Sequence, residues 1–257
     1  MKYLVLVITG FLLMINIPSQ AQVIGGDMDK LFDLYLLEKY PDCYYKALKM
    51  TEKEEFRSNP EPYLYVSMCA IKIYNDEELK DEYMAAGGNP LKDALKYAAK
   101  ARKYHAKCIK KDIATFELED NVEFFNELTT TALEEVLYQY NEDKYSKAAS
   151  WGKKLAKVDP SVAEIQVLVG ANMLLSKNAE GQKLVDQYWP KIEDKYKGGD
   201  VIPDETIKDA LIYGIIALSN YYNDNGNSVK AKEIIQFGKD LFVENRKIEN
   251  QYATINP

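Results

Sequence analysis

The sequence predicts an all-α solenoid of about five antiparallel helical hairpins. Three observations carry that expectation. Beyond residue 21, apolar residues recur at three- and four-residue spacing almost throughout. No run of alternating β-branched residues interrupts them, and the helical stretches come in pairs joined by turns rich in Asn, Asp, Gly and Pro. A hairpin of two such helices keeps apolar surface on its flank, so consecutive hairpins must stack to bury it.

Residues 1–21 read as a secretory leader. Lys2 supplies the positive end, Tyr3 to Ile15 form an apolar stretch of about a dozen residues, and Ser19-Gln20-Ala21 places small residues at the two cleavage-defining positions. That stretch is shorter than the roughly 20 residues needed to span a bilayer, so cleavage after Ala21 and a mature start at Gln22 are expected. The Ser-Gln-Ala-Gln ending resembles leaders of Bacteroidetes-type bacteria, which implies a periplasmic or secreted protein. A lipoprotein would need cysteine at the cleavage site, and the first cysteine is Cys43. No later apolar window is long enough for a transmembrane segment.

Residues 22–245 read as the repeat domain. Asp27 to Tyr40 places Leu31, Leu34, Tyr35 and Leu37 on one face, with Asp27 as a cap and Pro41 as the stop. Asp42 is expected to cap a second helix to about Phe56, closed by Asn59-Pro60-Glu61-Pro62. A third helix follows to Tyr74, and its partner opens at Asn89-Pro90, where Asn caps and Pro fits the first turn. Residues 75–88 between them read as a charged, irregular insertion with room for one helical turn.

From Leu118 a long helix reaches Tyr140, and a helix from Lys144 to Val158 stops at Asp159-Pro160. Ser161 and Asn178 are expected to cap the next two, the second carrying Pro190 as a kink. Residues 197–203, with Gly198-Gly199, read as a hinge. Pro203-Asp204 then opens a helix to Tyr222, and Ser228 to Asn245 form the last strong one. Residues 246–257 read as a polar, frayed tail.

The 257-residue chain has a net charge of −7, and loss of the leader removes Lys2 and no acid, giving −8. Such a chain repels phosphate backbones, and Lys107, Lys110 and Lys111 form one small basic cluster against that background. Nucleic acid is therefore excluded as the expected partner. The cysteines number 3, and Cys43 and Cys69 fall on adjacent antiparallel helices. Both a disulfide between them and a set of small buried apolar thiols stay open.

The last hairpin carries Leu218-Ser219, Tyr222, Gly226, Ala231, Ile235 and Gly238. At that spacing these residues resemble the tetratricopeptide repeat, with a Leu and small neighbour, an aromatic, a turn Gly, a small Ala, then a large and a small residue. Fragments recur in Tyr44-x-x-Ala47, in Tyr145-x-x-Ala148 with Val158-Asp159-Pro160, and in Val169-Gly170. The chain departs from the family in its long helices, in the insertion, and at Gln182 or Lys183, where the small Ala belongs. The resemblance implies that the first helix of each pair lines a concave binding face. Carried over by spacing, it nominates Ser67 and Tyr74 in the second pair, and Tyr213, Asn220 and Asn223 in the fifth, as partner-binding residues.

His105-x-x-Cys108 puts imidazole and thiol on one helical face, yet no second His, Cys-x-x-Cys or tight carboxylate cluster is near enough in sequence to complete a metal site. No orienting Asn or Asp accompanies the pair as a nucleophilic dyad would require. A partly exposed His beside a buried Cys is the expectation, and no catalytic residue, cofactor or metal ligand is nominated. The 20 tyrosines are expected mostly between repeats, with the remainder lining a binding face. These features point to a non-enzymatic scaffold holding a protein or peptide partner. The alternatives are a structural subunit of an envelope secretion or gliding machine, or a glycan-binding protein.

Overall fold

The computed structural model describes residues 21–199 and 201–257, so the expected leader, but for Ala21, lies outside the described residues. Within them the chain forms α-helices and two short 3-10 turns, without strands. The helices are α1 (Ala21–Leu36), α2 (Tyr40–Glu52), α3 (Pro60–Asn75), α4 (Glu77–Ala85), α5 (Pro90–Lys110) and α6 (Val122–Asn141). They continue as α7 (Tyr145–Leu155), α8 (Ala163–Leu175), α9 (Glu180–Tyr196), α10 (Glu205–Asp224), α11 (Ser228–Leu241) and α12 (Arg246–Ile255). No helix among the described residues is long and apolar enough to cross a membrane.

Neighbours in sequence are neighbours in space. The hairpins α1/α2, α3/α5, α6/α7, α8/α9 and α10/α11 succeed one another; α2 packs on α3 and α7 on α8, α5 meets α6 and α7 more lightly, and α10 packs mainly on α8. This is an all-α solenoid, and its caps explain where helices begin. Asn89 Oδ1 accepts the Lys92 N–H at 2.9 Å and Asp204 Oδ1 the Thr206 N–H at 2.8 Å. Pro41 was expected to stop the first helix. It lies in the first turn of α2 instead, where its missing N–H costs nothing.

Close approach of helices is bought by small residues. A Cβ on Gly238 would stand 2.8 Å from Ile215 Cγ2, and one on Gly181 would press on the Gly170 carbonyl and on Met173 Cβ at 2.9 Å. The fourth hairpin therefore does have its small residue. It is Gly181, one position before the Gln182 that the repeat pattern singled out.

Two apolar clusters meet along α8. Ile165, Leu168, Val169 and Met173 face the first and Ala163, Val167, Ala171 and Leu174 the second, so α8 is buried on opposite sides at once. Contacts to α7, α9 and α10 enclose it, with α6 reaching α10 beyond it. An all-round apolar helix is stable only in such a place.

Three expectations are corrected. The insertion at 75–88 contains the nine-residue helix α4, capped by Asp76 Oδ1 accepting from the Leu79 N–H at 3.0 Å. The tail is not frayed: α12 buries Ile248 and Ile255, and the Asn245 side chain caps it. Helices α1, α2 and α8 begin at other residues than the nominated caps Asp27, Asp42 and Ser161. At the last of these, Asp159 Oδ1 takes the Ser161 N–H in the turn before α8. Gly198 and Gly199 both adopt positive φ in the α9–α10 connection.

Candidate functional site

The first helices share a partly exposed face built mainly from tyrosine. On α3 the helical period exposes Tyr65, Met68, Lys72 and Asn75, while the residues between them, apart from Tyr74, turn into the core. Tyr65 meets Tyr35 of α1 edge to face at 6.2 Å between ring centres, and Tyr35 meets Tyr40 at 5.5 Å. Burial, with Glu61, Cys43 and Cys69 nearby, pushes the Tyr65 hydroxyl up to about 12, and burial also raises Tyr35, so both are neutral hydrogen-bonding phenols. Across to α6, Lys72 Nζ donates to both oxygens of Glu127 at 3.0 and 2.9 Å, and Asn75 Nδ2 donates to the same carboxylate at 2.8 Å. Two first helices are thus clamped by charge beside an aromatic surface. The clamp adds about 1 kcal/mol at this half-exposed position, and it fixes spacing more than it stabilises.

The nominated residues divide. Ser67 is fully buried, and its hydroxyl donates to the Ala94 carbonyl at 2.6 Å, so it joins α3 to α5 and presents nothing to a partner. Tyr74 is half-buried on the flank of α3 with Lys80 Nζ 4.2 Å above its ring. Tyr213, Asn220 and Asn223 do lie on one face of α10, but α12 covers part of it. Lys247 Nζ sits 4.6 Å from the centre of Tyr213, and Gln251 Nε2 donates to Asn220 Oδ1 at 2.6 Å. Tyr140 of α6 packs edge-on against Tyr213 at 5.4 Å, which leaves Asn223 exposed beyond them.

Sequence reasoning passed over Tyr65, Lys72 and Glu127. The phase of α3 could have found the first two, because 65, 68, 72 and 75 form the i, i+3, i+7, i+10 stripe left when Leu64, Ile71 and Ala70 are assigned inward. Glu127 needed the inter-hairpin packing, which no local pattern contains.

His105 is buried rather than partly exposed. Its Nε2 lies 2.9 Å from the Phe116 carbonyl and its ring 5.0 Å from Phe116, tying the 111–118 connection to α5. All three cysteines are buried free thiols, with Cys43 Sγ donating to the Leu31 carbonyl at 3.4 Å. The neighbouring Cys43 thiol, reinforced by burial, raises the Cys69 thiol. Among the described residues no group of three or more His, Cys, Asp and Glu side chains is placed to hold a metal ion.

No protein-family model, curated protein or solved structure matches the chain. The reading of its role therefore stands on its own geometry.

Proposed function

We propose that this chain is a non-enzymatic, tetratricopeptide-like interaction scaffold, exported to the periplasm or cell exterior, that holds a protein or peptide partner along its first-helix face. The observation that carries the reading is the half-exposed tyrosine surface of Tyr35 and Tyr65 on first helices, extended by Tyr40 at the start of α2, beside the Lys72–Glu127 clamp. Tyrosine offers large contact area with few rotatable bonds and a hydroxyl for adaptable hydrogen bonds, which suits peptide recognition. Tyr138, 56% exposed on α6, extends the same chemistry.

Site-specific photocrosslinking in producing cells tests it. A benzophenone side chain at Tyr138 should give one discrete adduct, and one at Val229 on second helix α11 should not. The Tyr138 adduct should fall about tenfold when Tyr35 and Tyr65 are both changed to Ala. Equal adducts from the two positions would remove the first-helix face as the site. A partner that co-purifies stoichiometrically without crosslinking and stays bound in high salt would mark a permanent assembly subunit. N-terminal sequencing of the same material should begin at Gln22 if the leader is cleaved as expected.

A further inference from the structure

The second helices carry a separate feature. A groove of about 580 Å³ runs between α5 and α7, lined by Lys92, Lys96, Lys100, Lys103, Lys154 and Lys157 around a floor of Leu95 and Ala99. None of these six ammonium groups forms an ion pair among the described residues. Lys92 and Lys154 both approach the Trp151 ring, at 5.8 and 5.2 Å from its centre. Burial first, and then Lys92 and Lys157, hold the Lys154 ammonium below the ordinary lysine value, as expected where like charges are crowded together. The groove's one carboxylate, Asp93, is engaged by the Tyr83 hydroxyl at 2.8 Å. Lys96 and Lys100 lie over the Tyr97 ring and Lys154 donates to Ser150, yet in a chain of net charge −7 no carboxylate among the described residues forms an ion pair with this concentration of positive charge.

The complementary surface is on the same molecule. Helix α4 has no buried residue, so its burial contributes little to holding the monomer together. Glu77, Glu78, Asp81 and Glu82 are exposed on it without an ion pair among the described residues, and Met84 is 48% exposed beside them. Its only cation, Lys80, turns back over Tyr74. At about 1.5 Å per residue, α4 is roughly 13 Å long and the run from Lys92 to Lys103 roughly 16 Å. Carboxylates and lysines repeating at one helical turn match in spacing, and Met84 matches the apolar floor.

We propose that a second copy of this chain seats its α4 in the lysine groove between α5 and α7. Tyr83, held by Tyr44 at 2.7 Å and by the groove-edge Asp93 at 2.8 Å, fixes α4 beside its own groove, and among the described residues none of that helix's exposed carboxylates pairs with the groove lysines of the same chain. Donor helix and acceptor groove adjoin, so a two-fold axis lets both chains exchange the contact at once and closes the assembly as a dimer. This surface is distinct from the first-helix face, and its occupancy is independent of the partner proposed there.

Sedimentation velocity of the purified full chain over a concentration series tests it. The expected result is a dimer at roughly 50 mM salt that dissociates toward roughly 500 mM, where exposed charges are screened. K96E/K100E and E78K/D81K should each weaken dimerisation about tenfold or more, with unchanged helical circular dichroism. Mixing the two variants should restore a dimer, since acidic α4 then meets the basic groove and basic α4 the acidic groove. A monomer at every concentration, a dimer indifferent to either reversal, or no rescue on mixing would overturn the proposal. So would a chain that stays monomeric yet binds a synthetic acidic helical peptide at Lys96 and Lys100, which would assign the groove to a foreign partner.

Discussion

Glu164, 1% exposed in the first turn of α8, accepts hydrogen bonds at 2.6 Å from both Lys195 Nζ and the Tyr196 hydroxyl of α9. Burial alone would raise its carboxyl, but the bonds from Lys195, Tyr196 and its own backbone more than offset this and hold it below the ordinary glutamate value. A depressed folded value means the carboxylate stabilises the fold fully above its unfolded value of about 4.3 and loses that contribution as pH falls through the folded one. Glu164→Gln should therefore cost about 2 kcal/mol at pH 7 and flatten the acid limb of stability, measured by urea unfolding across pH 3 to 7. Gly181→Ala acts sterically: its Cβ has no room against Gly170 and Met173, and it should cost about 2 kcal/mol or more by the same assay. The tetratricopeptide pattern pointed at the neighbouring Gln182 because a helix start misjudged by one residue moves every position about 100° around the helix, and with it the point of closest approach. The same sensitivity to phase explains Ser67. It stands two positions from Tyr65, which on a helix is the difference between the core and the face.

Helix α12 shows what an element contributes once its neighbours are known. Its sequence is polar enough to suggest fraying, yet Ile248 and Ile255 are both buried, seven residues and so two turns apart, in the second apolar cluster. Deleting residues 246–257 should cost about 3 to 6 kcal/mol from those two side chains alone, seen as a lower urea midpoint and as binding of a hydrophobic dye. Helices with many apolar positions, such as α3, α6, α8 and α10, were legible from the sequence because periodicity and length agree. Helices α4 and α12 were not, because few apolar positions define them and their order rests on a cap, a Tyr83 anchor or a docking surface supplied by distant chain. For the candidate site, the α10 residues Tyr213, Asn220 and Asn223 were legible as a stripe. Their partial cover by Lys247 and Gln251 was not, since α12 was not expected to be there.

At the scale of the whole molecule, the two apolar clusters joined through α8 make stability uneven along the solenoid. Amide hydrogen exchange should be slowest in α8, whose backbone is enclosed from several sides. It should be fastest in α4, which has no buried residue. Equal protection of the two would contradict this arrangement. The exposed Gly198-Gly199 connection suggests one practical use. A protease site placed there would sever the polypeptide between α9 and α10, while α8 and α10 stay packed together, Val167 and Leu168 lying in van der Waals reach of Gly214. The nicked pieces should co-migrate on gel filtration, and separately produced they should recombine, making this junction a natural place to divide the chain for fragment complementation.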